Sequence, residues 1–184
     1  LIVQNADPAK EIVALGQTYF AVQTRRQELS EEFGKFENDE EKRLFLRQQM
    51  KEHNRYLASA AKEAGVVRPL DYAIFQDHGY KGLYGGLAQV DIHRRKGLKR
   101  GQKILDHMGS TELAANLFRA TQAEDKLRRE NIRGKDKANQ AHFEVGKKVR
   151  QTIKELGGTM PESLPSAENI KKIASKNRKQ IKNK

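Results

Sequence analysis

Cysteine and tryptophan are missing altogether from the 184 residues, only 7% are aromatic, and proline occurs four times. Without cysteine there is no disulfide, thiol nucleophile or cysteine-held metal, and a reducing cytoplasm is the expected compartment. No run of 18 apolar residues occurs and no leader-peptide pattern opens the chain, so neither a membrane span nor a secretory signal is expected. The first residue is Leu rather than Met, which reads as a trimmed start with a further N-terminal part before it. With 36% hydrophobic and 33% charged residues, the core must come from Leu, Ile, Val and Ala with a few Phe and Tyr, which favours long, partly exposed helices. Strand-like alternation is missing too, so the fold class is all-α, a bundle of about five to seven helices with a flexible basic C-terminal tail.

Asp7-Pro8 reads as an N-cap and first-turn proline. The apolar residues that follow, Ile12, Leu15, Tyr19, Val22, Leu29, Phe33 and Phe36, step by threes and fours with one gap, a packing stripe that could also pair two copies as a homodimer. Asn38 and Glu41 resemble a capping box for a second helix, whose Leu46, Met50, Leu57, Ala60 and Ala64 run to a stop at Gly65. Pro69 opens a short segment ending at Gly79, and GYKGLYGG from Gly79 to Gly86 reads as a loop. A helical pattern from Leu87 to about Lys96 breaks at Gly97 and resumes through Ile104, Leu105 and Met108. Ser110 starts a long helix with Leu113, Leu117 and Leu127 on its apolar side. A last helix from Lys135 to Leu156 carries Val145, Val149 and Ile153 and stops at Gly157-Gly158. Beyond Pro161 and Pro165 the chain is too polar to fold alone, giving the expected disordered tail over 161–184.

The residues offer little for catalysis or cofactors. His53, His78, His93, His107 and His142 make no H-E-x-x-H motif, and Asp71, Asp77 and His78 do not share one helix face, so neither a metal nor a cofactor is expected. No G-x-S-x-G or kinase set appears, and the many Asp and Glu residues read as solvated faces; a non-enzyme is expected. Gly79, Gly82, Gly85 and Gly86 with Lys81 lack the ending and the preceding strand of a nucleotide-binding loop. Tyr80 and Tyr84 in that stretch are candidates for stacking on unpaired bases; the competing reading packs both rings onto the helices while the glycines make turns.

The net charge of +12 is concentrated in two places. Residues 91–103 hold Arg94, Arg95, Lys96, Lys99, Arg100 and Lys103 against Asp91 alone, and residues 170–184 hold seven cations, among them Lys171, Lys172, Lys176, Arg178 and Lys179, with no acid. Because the remainder is nearly neutral, these clusters are not a product of general basicity, and phosphate contact is their expected use; a solvated face is the competing one. The break at Gly97 invites a helix-turn-helix reading, but Ile104, Leu105 and Met108 fill what would be its base-reading surface.

Six stretches carry a resemblance: NADPAKEIVALGQTYFAVQTRRQEL, EKRLFLR, DYAIFQDHGYKGLYGGL, IHRRKGL, QKILDHMGSTELAANLFRATQ and LGGTMPESLP. In this order, from Leu1 to Pro165, the chain resembles the bacterial DNA-damage-inducible protein D family. That resemblance implies a protein of the SOS regulon acting in recombinational repair. Its partners would be DNA, single-stranded before duplex, or the recombinase filament on single strands, and its location the cytoplasm at the nucleoid. The family begins with a Bro-type, phage-antirepressor-like domain regarded as DNA-binding, of which residues 1–36 would be the closing helix, followed by a helical C-terminal domain over 37–160. No catalytic or binding residue follows from the resemblance. An antirepressor-like module that docks on a recombinase or repressor without essential DNA contact is the alternative.

Overall fold

The computed structural model describes residue 36 and residues 38–182, with side chains as far as Lys176. The Ile12–Phe36 stripe and the homodimer built on it lie, Phe36 apart, outside the described residues. By contacts the chain divides into units 1–38 and 39–184, and every helix below belongs to the second.

Helix α1 spans Asp39–Glu63, with three acids, Asp39, Glu40 and Glu41, in its first turn and Lys62 in its last, each favourable to the helix dipole. It stops where expected: Gly65 turns left-handed at φ 99°, and Val66 N–H reaches back to the Ala61 carbonyl at 2.9 Å. Leu46, Met50, Leu57, Ala60 and Ala64 are all buried, as their spacing predicts. Helix α2, Pro69–Leu83, begins on its proline. It runs on through Gly79 and Gly82, so the expected loop is confined to Tyr84–Leu87, where Gly85 and Gly86 take positive φ. The reason is a partner that sequence spacing does not reveal. Gly79 and Gly82 press against helix α5, Lys135–Glu155, at Gly146, whose added Cβ would stand 2.6 Å from the Gly79 carbonyl and 2.9 Å from Leu83 N.

Helix α3 is short, Gln89–Arg95. Its free N–H groups are met by carboxylates: Asp91 accepts from Ala88 N–H at 3.1 Å, and Asp77 of α2 from Gln89 N–H at 2.9 Å. Gly97 at φ 63° ends it, but no second helix follows; residues 98–103 form turns leading to a 3-10 turn at Ile104–His107. The helix-turn-helix reading is thereby overturned, because Ile104 and Met108 are buried as anchors. Helix α4, Ser110–Arg129, follows, and the Ser110 hydroxyl bonds the Asp39 carboxylate at the start of α1.

The main packing pairs are α2 with α5 and α1 with α4, with α4 also lying on α5. Their shared core is rich in alanine: Ala60, Ala61, Ala120, Ala123, Ala138 and Ala141 surround Leu57, Phe75 and Leu127. Small residues at the contacts bring helix axes close. Gly134 N–H also donates to the Ala64 carbonyl at 2.8 Å, tying the start of α5 to the end of α1.

The described part of the expected tail carries two elements. Pro161–Ser163 forms a 3-10 turn, and Ile170–Lys182 forms helix α6. Ile170 and Ile173 are buried, seating α6 on α1 and on the Ile104–His107 turn. Buried Arg43 of α1 reinforces this seat, donating to the Met108 carbonyl at 2.9 Å and the Glu168 carbonyl at 2.6 Å. Tertiary packing of two isoleucines supplies what the polar composition withholds.

Candidate nucleic-acid interface

Five of the six cations at 94–103 face solvent. Arg94 keeps 77% of its side-chain surface exposed, with Asp91 3.4 Å away. Arg95 is exposed but anchored, its Nε donating to the Glu162 carbonyl at 2.7 Å. Lys99, Arg100 and Lys103 project from the turns, which are shaped by Gln102 accepting from Lys99 N–H at 2.7 Å.

Lys96 departs from expectation. Its side chain is 5% exposed, and its ammonium donates to the fully buried carboxylate of Glu112 on α4 at 2.8 Å. It is an internal ion pair, not a phosphate contact. Burial pushes the Glu112 carboxyl up, opposed by the Lys96 ammonium and the Tyr84 hydroxyl.

Tyr80 and Tyr84 are buried, so the base-stacking expectation fails and the competing packing reading holds. Tyr84 donates to Glu112 at 2.8 Å and accepts from Asn116 at the same distance. Burial beside Glu112 pushes its hydroxyl well above the usual phenol range. Tyr80 meets Tyr84 edge-on and lies under the Arg119 guanidinium, 4.7 Å from its centroid. From there Arg119 bonds His142, whose Nδ1 lies 2.9 Å from the Phe75 carbonyl. A polar chain, Lys96–Glu112–Tyr84–Asn116–Arg119–His142, therefore runs through the core and ends against α2. Burial and the Arg119 charge hold the His142 ring well below its usual pKa, hence neutral. None of Glu112, Asn116, Arg119 and His142 was singled out from sequence. Their signal was phase: Asn116 and Arg119 fall on the Leu113, Leu117 and Ala120 face of α4, and His142 with Ala138 and Val149 on α5.

The second basic segment lies beside the first. Gln102 and His107 share an open depression of about 530 Å³ with Lys171, Lys172 and Ser166–Asn169. Asn169 accepts from Lys171 N–H at 2.9 Å, and Ala167 N–H donates to the His107 carbonyl at 2.8 Å. The lysines are lightly paired, Lys171 with Asp106 at 3.8 Å, Lys172 and Lys176 with Glu168 at 3.7 and 3.8 Å, all three mostly exposed. Exposed pairs at such distances contribute little and exchange readily for another anion. The side chains of Arg178 and Lys179 lie outside the described residues.

Asp71, Asp77 and His78 do not converge. Arg68 grips Asp71 with two bonds of 2.8 and 2.9 Å, holding its carboxyl at about 2; Asp77 caps α3; His78 Nδ1 meets the Ile74 carbonyl at 2.9 Å. Among the described residues no three His, Asp or Glu side chains come together as metal ligands, and no helix is long and apolar enough to cross a membrane.

The DinD C-terminal domain family model matches residues 37–173, past the expected domain end at 160 and into α6. DNA damage-inducible protein D of Escherichia coli (strain K12) is 65% identical over 175 residues, which is 94% of this chain and 64% of that protein. The chain thus spans a little under two thirds of that relative's length, and the match of the family model over most of the chain shows that it belongs to the DinD C-terminal domain family.

Proposed function

We propose that the chain takes part, without catalysing a reaction, in the bacterial response to DNA damage by binding DNA, single strands before duplex, and so modulates recombinational repair. The relative's name supports the damage response, and the SOS regulon and the nucleoid are the corresponding setting. The observation that carries the DNA contact is the grouping of exposed cations: Arg94 and Arg95 close α3, Lys99, Arg100 and Lys103 project from the turns that follow, and Lys171 and Lys172 border a depression that Gln102 of those turns also lines. Local clusters of this kind release counterions on meeting phosphate.

Fluorescence anisotropy with labelled single-stranded and duplex DNA, at low and moderate salt, tests the reading. Changing Arg94, Arg95, Lys99 and Arg100 to Ala should weaken binding and flatten its salt dependence by about 0.7 in log–log slope for each lost contact on single strands. Undiminished binding by this variant sinks the assignment. A protein-docking role on a recombinase filament or a repressor is the second reading, favoured by the exposed Val67, Leu70 and Ile74 at the start of α2. Loss of partner capture on changing Leu70 and Ile74 to Ser, with DNA affinity intact, would select it.

A further inference from the structure

Between α3 and the Pro161–Ser166 segment lies a cavity of about 170 Å³ that the cation cluster does not account for. Leu87, Ile92, Leu164 and Pro165 give it apolar walls, Tyr84 lies at its buried side, and Arg95 and Lys96 border it. We propose that this cavity receives one unstacked pyrimidine base of a single-stranded nucleic acid, the flanking phosphates resting on Arg94 and Arg95. The inference rests on the DNA reading above and adds the part of the ligand that phosphate contacts leave unrecognised.

Three observations point the same way. The first is size: an apolar cavity of about 150 Å³ holds one benzene ring, so about 170 Å³ suits a single six-membered ring with its substituents and is tight for a fused purine. The second is chemistry at the edge. Lys96 carries three N–H donors, and Glu112 is the partner of one, leaving donors for a ring carbonyl. The planar guanidinium of Arg95 beside the cavity can lie against a base face. The third is preorganisation. Arg150 grips Glu162 with two 2.7 Å bonds while also donating to the Leu83 carbonyl at 3.1 Å, and Arg95 holds the Glu162 carbonyl. The wall formed by residues 161–166 is therefore fixed before any ligand arrives, so little ordering accompanies binding. The charge around the cavity favours a polyanion over an apolar protein side chain, because the exposed Arg95 borders it and the exposed Arg94 precedes Arg95 in α3.

The test uses the full chain and three oligonucleotides of about ten nucleotides, within the length one binding fold covers: oligothymidylate, oligodeoxyadenylate and an abasic strand of equal charge. Affinities come from anisotropy, and contacts from methyl NMR of Leu87, Ile92 and Leu164 with Leu70 as a remote reference. Expected are roughly tenfold tighter binding of oligothymidylate than of the abasic strand, the scale of one stacked base, and shifts at the three cavity methyls but not at Leu70. Leu164→Trp fills the cavity without changing charge and should erase that tenfold difference while leaving abasic affinity alone; Ser166→Trp serves if the first variant does not fold. Equal affinity for thymidylate and abasic strands overturns the pocket and leaves the DNA reading standing. Adenylate bound as tightly with the same methyl shifts overturns the pyrimidine assignment. Absence of binding to any strand overturns the DNA reading and the pocket with it.

Discussion

His142 occupies the junction of α2, α4 and α5 as a neutral ring. Arginine can only donate, so Arg119 fixes Nε2 as the acceptor and Nδ1 as the donor to the Phe75 carbonyl. Its depressed pKa has a defined consequence for stability. Below about 6.5 the unfolded chain takes up a proton that the folded chain refuses, so this contribution is complete above about 6.5 and is lost as the pH falls, by at most ~1.4 kcal/mol per unit. Glu112 carries the opposite sign. Its raised pKa lets the folded state keep a proton just above the ordinary carboxylate range, so stability declines there as the pH rises. Urea unfolding from about pH 5 to 7 should show a positive slope that largely disappears in His142→Gln; an unchanged slope would mean that the ring titrates in place. Lys96→Met should cost about 3–5 kcal/mol, because it strands the Glu112 carboxylate in the core, and Lys96→Met with Glu112→Gln should recover much of it. If Lys96→Met instead leaves stability untouched and lowers only DNA affinity, the surface reading of this lysine was right after all.

At the scale of elements, the crossing of α2 and α5 depends on the absence of side chains. Gly146→Ala would bring a methyl group to 2.6 Å from the Gly79 carbonyl, and backbone on both sides leaves nothing flexible to yield. A loss of about 1–3 kcal/mol is expected, read as a fall in Tm of several degrees. Ile173→Asp should release α6, lowering helix content by circular dichroism while α1 to α5 persist. Most helix boundaries were legible, since caps, prolines and terminal glycines act locally: Pro69, Gly65, Gly97 and Gly157 each stand at an end of a helix. What escaped depended on partners distant in sequence. Gly79 and Gly82 read as loop because Gly146 lies more than 60 residues on, and Lys96 read as surface because Glu112 sits one helix away. The reading of a disordered tail came from its polar composition, because Ile170 and Ile173 are buried only through the packing of α6 on α1 and on the Ile104–His107 turn, which are distant in sequence. In the candidate interface, charge counting picks out the 94–103 cluster, five of whose six cations are exposed, but it could not tell that Tyr80 and Tyr84 are buried, because their ring chemistry is the same on a surface and in a core.

For the whole domain, stability should be uneven. The polar chain from Lys96 to His142 and the alanine-rich core join α2, α4 and α5 into one block, while α6 is held by two isoleucines and a few backbone contacts. Hydrogen exchange should therefore protect amides near Phe75, Ala120 and Ala141 most strongly and release those of α6 and residues 98–103 first. Equal protection throughout would place α6 in the same cooperative unit as the core. The docking of α6 also bears on the heat of association. A disordered lysine-rich arm would order as it met a polyanion, and that folding would register as a large negative change in heat capacity. Here the isoleucines are already out of water, so calorimetry of complex formation should find only a small negative heat-capacity change, that of one base entering its cavity, with no share from folding of the lysine-rich arm.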